Sequence, residues 1–236
     1  MSENYTRSFG EIVTGADAST VATVVRKPGW AHLARVTVAA DSNIQPCPEI
    51  RKAWIYENGA GSYTDVTDTL KSKAVADTTD LSAFAADDFI YIGADLPFRA
   101  LAVNLAAAVN GTESVITVSL SDGDGTWTDS SDTDGTISSS KTFAQDGVIS
   151  WAVPATWLPD TVNGLSNLYC IRIAVSVVLD ASVTVEGILL IGQEALGGAI
   201  DSATAGPVEI DMGGLGGLDF TCAAGTPANS IAWFGR

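Results

Sequence analysis

The residues best suited to chemistry lie in one acidic loop. Thirteen residues contain five carboxylates, at Asp122, Asp124, Asp129, Asp132 and Asp134. Ca²⁺ prefers oxygen ligands, so this loop predicts a candidate calcium site. An EF-hand frame does not fit, because aligning Gly135 with its invariant glycine places Lys141 where a bidentate glutamate belongs. The alternative is a solvated loop between strands that holds no ion.

Residue patterns typical of catalysis are nearly absent. The chain has a single histidine, His32, and lacks a nucleophile-elbow motif, a phosphate-binding loop and a dinucleotide-binding fingerprint. Its three cysteines, Cys47, Cys170 and Cys222, contain no Cys-x-x-Cys pair, which argues against a zinc site and a disulfide framework. Paired carboxylates, as in glycoside hydrolysis, are the remaining enzymatic arrangement. We therefore predict no catalytic site and no cofactor apart from the candidate calcium ion.

Four aromatic residues suggest a possible sugar-binding surface: Trp127, Trp151, Trp157 and Tyr169. Exposed rings on β-sandwiches can stack on sugars. However, Trp151 and Tyr169 alternate with apolar neighbours, and Trp157 lies between two prolines. We predict core or corner packing for this set rather than a glycan site.

The elements that must position these residues are strands. Apolar and polar residues alternate through residues 88–191, with Gly, Pro, Asn and Asp between the runs, a pattern typical of antiparallel strands half-buried in a sandwich. Asn110-Gly111 predicts a two-residue hairpin, because both residues tolerate the positive φ of a type I′ turn. No helical periodicity persists, so we expect helix in fewer than about a tenth of the residues. Residues 67–86 are the one place where a short helix is expected.

An ordered set of motifs runs through the same region. It comprises Asp88-Phe-Ile-Tyr-Ile-Gly93 with Pro97-Phe98, then Gly125-Thr-Trp127, Asp134-Gly-Thr136, Trp151-x-x-Pro-x-x-Trp157, Asn163-Gly164 and Tyr169-x-Ile-Arg172. In this order the motifs resemble a β-sandwich domain of bacteriophage virion proteins, over residues 63–192. The resemblance implies a non-catalytic sandwich that serves as a building block of phage heads, necks and tails.

The predicted fold is all-β, with three parts. An antiparallel, jelly-roll-like β-sandwich at residues 63–192 follows an N-terminal β region at 1–62, a candidate docking part, and precedes a glycine-rich C-terminal arm at 193–236. The arm also carries Phe220, Trp233 and Phe234, which need burial. We predict an assembly arm that becomes ordered against a neighbouring molecule or against the protein's own sandwich, with these aromatics as interface anchors.

The net charge of −16 is unevenly distributed, because residues 81–236 hold 18 acids and only 4 bases. Such an acidic surface argues against nucleic acid as a partner. Bases concentrate earlier in the chain and include the candidate docking residues Arg26, Lys27, Arg51 and Lys52, for which ordinary solvated charge is the alternative. No apolar stretch is long enough for a membrane helix, and the N-terminal residues lack a secretory pattern. We expect synthesis in the host cytoplasm and a final location in the virion.

These expectations favour a bacteriophage virion structural protein, and within that class a capsid decoration or cement protein. Its partners would be the major capsid protein or other virion proteins, together with further copies of itself in a homo-oligomer. The alternative is a tail-fibre or receptor-binding component whose sandwich contacts host glycan. A soluble hydrolase is a third and weaker interpretation.

Overall fold

Short strands make up nearly all of the regular structure. The computed structural model of the chain describes residues 6–8, 23–26, 31–37, 42–72, 76–82, 84–192, 208–222 and 230–235. These residues contain one helix, α1 (Thr67–Lys71), and nineteen strands. The strands are β1 (Thr6–Ser8), β2 (Thr23–Arg26), β3 (Leu33–Thr37), β4 (Ser42–Pro48), β5 (Lys52–Glu57), β6 (Ser62–Asp65), β7 (Thr79–Asp80), β8 (Phe89–Ala94), β9 (Phe98–Leu105), β10 (Ile116–Ser121), β11 (Trp127–Asp129), β12 (Asp132–Asp134), β13 (Gly147–Trp151), β14 (Asp160–Val162), β15 (Leu165–Val175), β16 (Thr184–Gly192), β17 (Val208–Asp211), β18 (Leu215–Cys222) and β19 (Ser230–Gly235).

The chain divides into two compact units. Unit 1 combines residues 1–48 with residues 191–236, and unit 2 comprises residues 49–190. These limits differ from the predicted domain boundaries. A boundary after residue 62 would cut the hairpin of β5 and β6, in which Tyr56 pairs with Tyr63, and β5 pairs in turn with β8. Strand pairing therefore places β5 in unit 2.

Unit 2 is an antiparallel β-sandwich. Its larger sheet has the order β11-β10-β15-β8-β5-β6, with β14 also paired to β15, and its smaller sheet has the order β12-β13-β9-β16-β7. Side chains from both sheets meet in one core, for example Ile92 and Ile171 from the larger sheet and Leu101 and Ile149 from the smaller one. Because successive side chains of a strand point to opposite faces, the alternation in the sequence produces this core directly. The all-β prediction is confirmed.

Three of the four aromatic residues singled out in the sequence pack into this core. The rings of Trp151 and Trp157 lie 5.7 and 5.1 Å from the ring of Phe98, and the ring of Tyr169 lies 5.6 Å from that of Trp157. The indole nitrogen of Trp157 donates a hydrogen bond to the backbone carbonyl of Cys170 at 3.1 Å. The prediction of core packing is confirmed for Trp151 and Trp157, which are buried, and for Tyr169, which is half-buried against the same core.

In unit 1, strands from the N-terminal part of the chain pair with strands from its C-terminal part. One sheet has the order β1-β19-β3-β17 and the other has the order β2-β18-β4, so every described strand of residues 208–235 pairs with a strand of residues 6–48. β18, for example, lies between β2 and β4, with Phe220 opposite Thr23 and Ile44. The described part of the predicted arm is thus built into sheets within its own chain.

The two-residue hairpin lies elsewhere than predicted. Asn163 and Gly164 connect β14 to β15 with φ values of 47° and 77°, which suit a type I′ turn, and Val162 pairs with Leu165 across it. Asn110-Gly111 is no such turn, because the strands that flank it, β9 and β10, belong to different sheets. The hairpin prediction at Asn110 is wrong, and the residue is instead buried.

α1 is a single short segment, and it lies within the range where a short helix was expected. Its first residue fixes it to the sandwich, since the backbone N–H of Ala53 donates to Thr67 Oγ1 at 3.0 Å. In the ranges that the structure describes, no helix has the length and apolar character needed to cross a membrane.

One glycine of the smaller sheet has no room for a side chain. A Cβ atom at Gly147 would lie 2.2 Å from the carbonyl oxygen of Gly135. That atom belongs to the backbone, so it cannot swing away as a flexible side chain would. We expect Gly147→Ala to lower the free energy of unfolding by about 2–3 kcal/mol, in the upper part of the range for overpacking.

Gly59→Ala is the matched control, because a Cβ atom there would have nothing within 4 Å. Its effect should stay within about 0.5 kcal/mol. Urea denaturation followed by tryptophan fluorescence measures both values. Equal stability of the two variants would show that the close approach of Gly135 and Gly147 is not a constraint on the fold.

Candidate functional site

The five aspartates of the acidic loop accept hydrogen bonds from hydroxyl groups and backbone N–H groups of the same unit. Asp122 accepts hydrogen bonds from Thr126 and Thr128, and Asp124 accepts two from Thr126. Asp129 accepts one from Ser119, Asp132 accepts one from the backbone of Val118, and Asp134 accepts three from Thr136 and Thr142. Asp124 and Asp134 each accept from the backbone N–H two residues further on, the contact typical of turn-forming aspartates.

The loop does not gather these carboxylates around a common point. β11, which contains Asp129, belongs to the larger sheet, whereas β12, which contains Asp132 and Asp134, belongs to the smaller one. All five aspartates lie in the described ranges, and there no three His, Cys, Asp or Glu side chains are placed to hold a metal ion. Burial, followed by the negative charges of Asp134 and Asp129, raises the pKa of Asp132. The geometry gives the calcium hypothesis no support.

The single histidine and the cysteine of the sandwich differ in exposure. His32 is exposed in unit 1, and Cys170 is buried in unit 2. Burial and the nearby charge of Asp160 raise the pKa of the Cys170 thiol to about 12. Because the thiolate is the reactive form, this cysteine is inert near neutral pH.

A group of aromatic residues covers the outer surface of the larger sheet. We call it the aromatic face, and it consists of Trp54, Tyr56, Tyr63, Phe89, Tyr91 and Trp127. Trp54 and Tyr91 are buried beneath the others, and Tyr63 is 38% exposed at the edge strand β6. The remaining three rings are half-buried. This surface lies on the side of the sheet opposite the sandwich core, because its residues alternate with core residues along β5 and β8.

Strand register aligns these residues in rows across the sheet. In one row Trp54 pairs with Tyr91, Tyr91 with Arg172, and Arg172 with Ser119. In the next row Tyr63 pairs with Tyr56, and Tyr56 with Phe89. Directly paired side chains on one face of antiparallel strands are within contact distance. The face is therefore fixed by the sheet itself and not by a loop.

The rings contact one another in a chain. Ring centroids are 4.7 Å apart for Tyr56 and Tyr63, 5.8 Å for Tyr63 and Tyr91, and 5.4 Å for Tyr91 and Trp127. Phe89 joins the group at 6.0 Å from Tyr91. These four pairs are tilted or edge-on, whereas Tyr56 and Phe89 are stacked with centroids 6.4 Å apart. Burial raises the pKa of the Tyr91 hydroxyl, so it remains protonated at neutral pH.

Arg172 is the cationic centre of this surface. Its guanidinium carbon lies 4.8 Å from the centroid of the Phe89 ring and 5.2 Å from that of the Trp127 ring, which places the cation over both π faces. Its Nε donates a hydrogen bond to Ser119 Oγ at 3.3 Å. Among the described carboxylates none forms a salt bridge with Arg172. The cation is thus oriented by aromatic rings and a hydroxyl, with its charge unneutralised.

The sequence contained a signal for this face that was not recognised. Of the six rings only Trp127 was a candidate. Trp54-Ile55-Tyr56 and Phe89-Ile90-Tyr91-Ile92 carry aliphatic residues in one phase and aromatic residues in the other. A strand exposed to solvent on one side has polar residues in the second phase. Aromatic residues at the outward-facing positions of β5 and β8 therefore indicate a surface that is covered or that binds a partner.

The other interface candidates are dispersed. Arg51 forms a salt bridge with Asp95 at 3.2 Å, and Lys52 pairs with Asp65, so both charges are neutralised within unit 2. Arg26 lies in β2 of unit 1, and Lys27 lies outside the described residues. The structure places Phe220 in β18 and Trp233 and Phe234 in β19, and describes their strand pairing but not their side chains.

Comparison with known proteins leaves the family open. No protein-family model matches the sequence, and no curated protein is significantly similar to it. The expectation of a phage sandwich domain therefore depends on the sequence motifs alone.

Proposed function

We propose that this chain is a non-catalytic structural protein of a bacteriophage virion, which decorates the capsid and docks through the aromatic face of unit 2. The support comes from three sources: the ordered motifs of residues 63–192, an antiparallel sandwich in that region, and a surface whose composition suits docking. The aromatic face carries the docking part of the proposal.

The composition of this face is that of a protein–protein interface. Tyr, Trp, Phe and Arg are enriched at interfaces, and Trp, Tyr and Arg dominate their binding energy. Here four partly exposed rings and one arginine share a sheet whose register holds them in place, and two of the rings, Phe89 and Trp127, contact the arginine. Little conformational entropy would be lost on binding, because the side chains are already ordered by mutual contact.

Charge favours a partner that is basic or apolar where it meets the sandwich. Residues 49–190 hold 19 acids and 7 bases, a net charge of −12. Arg172 is an exception, since no described carboxylate neutralises it. A carboxylate on the partner that reached Arg172 would complete a charge-assisted contact between aromatic walls. The partner surface would thus combine apolar side chains, one acid opposite Arg172 and bases toward the rim.

The direct experiment is to purify particles of the phage that encodes the chain. Peptide mass spectrometry should find the chain in many copies per particle, and cryo-EM should locate it on the outer surface of the capsid. Its absence from purified particles would end the proposal. Density on the tail would support the alternative instead.

The docking surface is tested with variants of the exposed rings. Tyr63→Ala combined with Trp127→Ala should reduce occupancy on particles that lack the wild-type protein at least about tenfold, because loss of interface aromatics typically costs more than 1 kcal/mol each. Leu96→Ala is the matched control, since Leu96 is also 38% exposed but lies in the turn between β8 and β9. Equal occupancy of all three proteins would show that another surface docks.

A receptor-binding component remains the second candidate, and the aromatic face is also the observation that favours it. Half-exposed rings beside an arginine can stack on sugar rings, and the guanidinium can donate hydrogen bonds to the sugar hydroxyl groups. A glycan array separates the two cases. Binding to host glycans that is lost in the Tyr63→Ala, Trp127→Ala double variant supports the receptor-binding role, and a blank array with retained capsid binding supports decoration.

A further inference from the structure

Three loops meet at one end of the sandwich of unit 2. They are residues 106–115 between β9 and β10, residues 135–146 between β12 and β13, and residues 176–183 between β15 and β16. We call this end the aliphatic tip. Nine large apolar residues are exposed in the described part of the chain, and five of them lie here: Val109, Val115, Ile137, Val177 and Val178. Because five of the nine lie together at one end, the tip differs from single apolar residues scattered over a surface, which need no explanation.

Hydrogen bonds from backbone and serine groups hold two of the tip valines, Val115 and Val177, side by side. Val115 and Ser176 are joined twice, since the N–H of Ser176 donates to the Val115 carbonyl at 2.8 Å and the N–H of Val115 donates to Ser176 Oγ at 2.9 Å. Ser114 Oγ donates to the Val177 carbonyl at 3.2 Å. The most exposed residue of the group, Val115 at 58%, is therefore fixed beside Val177 at 44%.

The third loop is attached to the other two. Ser114 and Lys141 form an isolated β-bridge, in which the N–H of Thr142 donates to the Ser114 carbonyl at 3.1 Å. Asn110 is 2% exposed, and its side chain forms hydrogen bonds with backbone groups of Thr112, Thr142 and Asp180. These three residues belong to the three different loops. Exposed valines on loops that are fixed this firmly form a preorganised surface, which loses little entropy on binding.

The tip lies away from the points where the chain enters and leaves unit 2. The chain enters unit 2 at the start of β5, which pairs with Gly93 near the end of β8. Tyr169 of β15 pairs with Ala94 at this same end of β8. The opposite end of β15, at Val175, leads into the tip. β16 begins at Thr184, beside the tip, and Leu190 lies at its other end. Neither connection therefore runs through the tip.

Two charges of the tip complement each other but form no salt bridge. Glu113 precedes Ser114 and Lys141 pairs with Ser114, so the two residues are backbone neighbours. No salt bridge joins them in the described structure, which includes both side chains. In a two-fold symmetric contact each surface meets its own copy, so Lys141 of one molecule can meet Glu113 of the other on both sides of the axis.

We infer that the aliphatic tip is a self-association surface that binds the tip of a second copy of this chain. The valines and Ile137 form its apolar centre, and the Lys141–Glu113 pairs fix its register. The inference concerns unit 2 itself and does not depend on the proposed virion function. A homodimer of this kind would cross-link neighbouring copies wherever the protein is concentrated.

The exposed area sets the expected strength. Five partly exposed aliphatic side chains offer a few hundred Å² of apolar surface, about the size of the largest patch on a typical monomer. A standard stable interface buries about 800 Å² per partner. The dimer should therefore be weak, with a dissociation constant on the order of 10⁻⁵ to 10⁻⁴ M. Salt acts on the dimer in two opposing ways, because screening reduces the repulsion between copies that each carry a net charge of −16 and also weakens the two Lys141–Glu113 pairs.

Sedimentation equilibrium of the full chain tests the inference over a protein concentration range that brackets about 10⁻⁵ to 10⁻³ M. We expect a monomer–dimer equilibrium that Val115→Asp with Val177→Asp weakens at least about tenfold. Leu158→Asp with Leu165→Asp is the matched control, since these residues are 51% and 41% exposed at the opposite end of the sandwich, and it should leave the equilibrium unchanged. A monomer at all concentrations overturns the inference, as does a dimer that tolerates the tip variant.

Charge exchange provides a second measurement that does not rely on the valines. Lys141→Glu alone should weaken the dimer, and adding Glu113→Lys should restore it, because each contact again joins opposite charges. Circular dichroism confirms that the variants are folded. A single variant that dimerises like wild type, or a double variant that is not restored, excludes the proposed register and with it the two-fold tip contact.

Discussion

Trp151→Ala is expected to lower the free energy of unfolding by about 3–5 kcal/mol, the usual cost of truncating a buried tryptophan. Trp151 is 6% exposed, and its ring packs edge-on against Phe98 in the core shared by both sheets. Removing the ring leaves a cavity bordered by strands of the smaller sheet, whose backbone hydrogen bonds limit collapse. The loss comes from both the transfer of apolar area and the unfilled volume.

The same substitution at Trp127 provides the contrast. Trp127 is half-buried on edge strand β11, where it contacts Tyr91 and Arg172. Trp127→Ala should cost about 1–2 kcal/mol, the value of one aromatic pair and one cation–π contact. Urea denaturation at constant pH measures both variants. A smaller loss at Trp151 than at Trp127 would mean that the sheet face, and not the sandwich interior, is the main core.

Trp151→Phe refines the first result. The indole N–H of Trp151 is buried and has no hydrogen-bond acceptor among the described residues. Phenylalanine keeps most of the ring volume and removes this unsatisfied donor, whose burial costs about 1–3 kcal/mol. The two effects oppose each other, so Trp151→Phe should be much milder than Trp151→Ala. A loss equal to that of alanine would indicate that the N–H does find an acceptor.

Much of the fold follows from local patterns. The alternation through β10 and β15 marks one face of each strand as core, and the structure uses those faces in the sandwich. Pairing between distant segments follows from no local pattern. Phe220 lies opposite both Thr23 and Ile44, and nothing in the intervening residues encodes that arrangement. The glycine-rich C-terminal segment was therefore predicted as an arm, whereas its described strands complete the sheets of unit 1.

The candidate site was predictable only in part, for a related reason. An aromatic side chain in a strand can face either the core or the outer surface. Where the odd and the even positions of a strand are both apolar, their spacing alone does not show which set faces the core. Trp151 and Trp157 belong to the interior, and Trp127 belongs to the outer surface with Arg172. The register of β5, β8 and β15 brings rings of the aromatic face beside Arg172, which follows Trp54 by more than 100 positions in the chain.

Asn110→Ala is expected to cost about 3 kcal/mol or more, although asparagine before glycine usually marks a tolerant surface turn. The Asn110 side chain makes four hydrogen bonds: Nδ2 donates to the carbonyls of Thr112 and Thr142 at 2.8 and 2.9 Å, and Oδ1 accepts from the N–H groups of Thr112 and Asp180 at 3.0 and 3.1 Å. Alanine leaves these backbone groups without their partner, and each buried unsatisfied group costs about 1–3 kcal/mol. Water that enters the site would recover part of that loss.

The effect of Asn110→Ala should also be local. Its partners belong to three loops, so hydrogen exchange should accelerate in residues 106–115, 135–146 and 176–183 before it does in the strands. Asn104→Ala is the matched control, because Asn104 is exposed on β9, and its effect should stay within about 0.5 kcal/mol. If Asn110→Ala is as mild as the control, with unchanged exchange in the loops, then the four hydrogen bonds do not hold them together. Asn110 would then be the ordinary turn residue that its sequence suggests, and the preorganisation of the aliphatic tip would need another source.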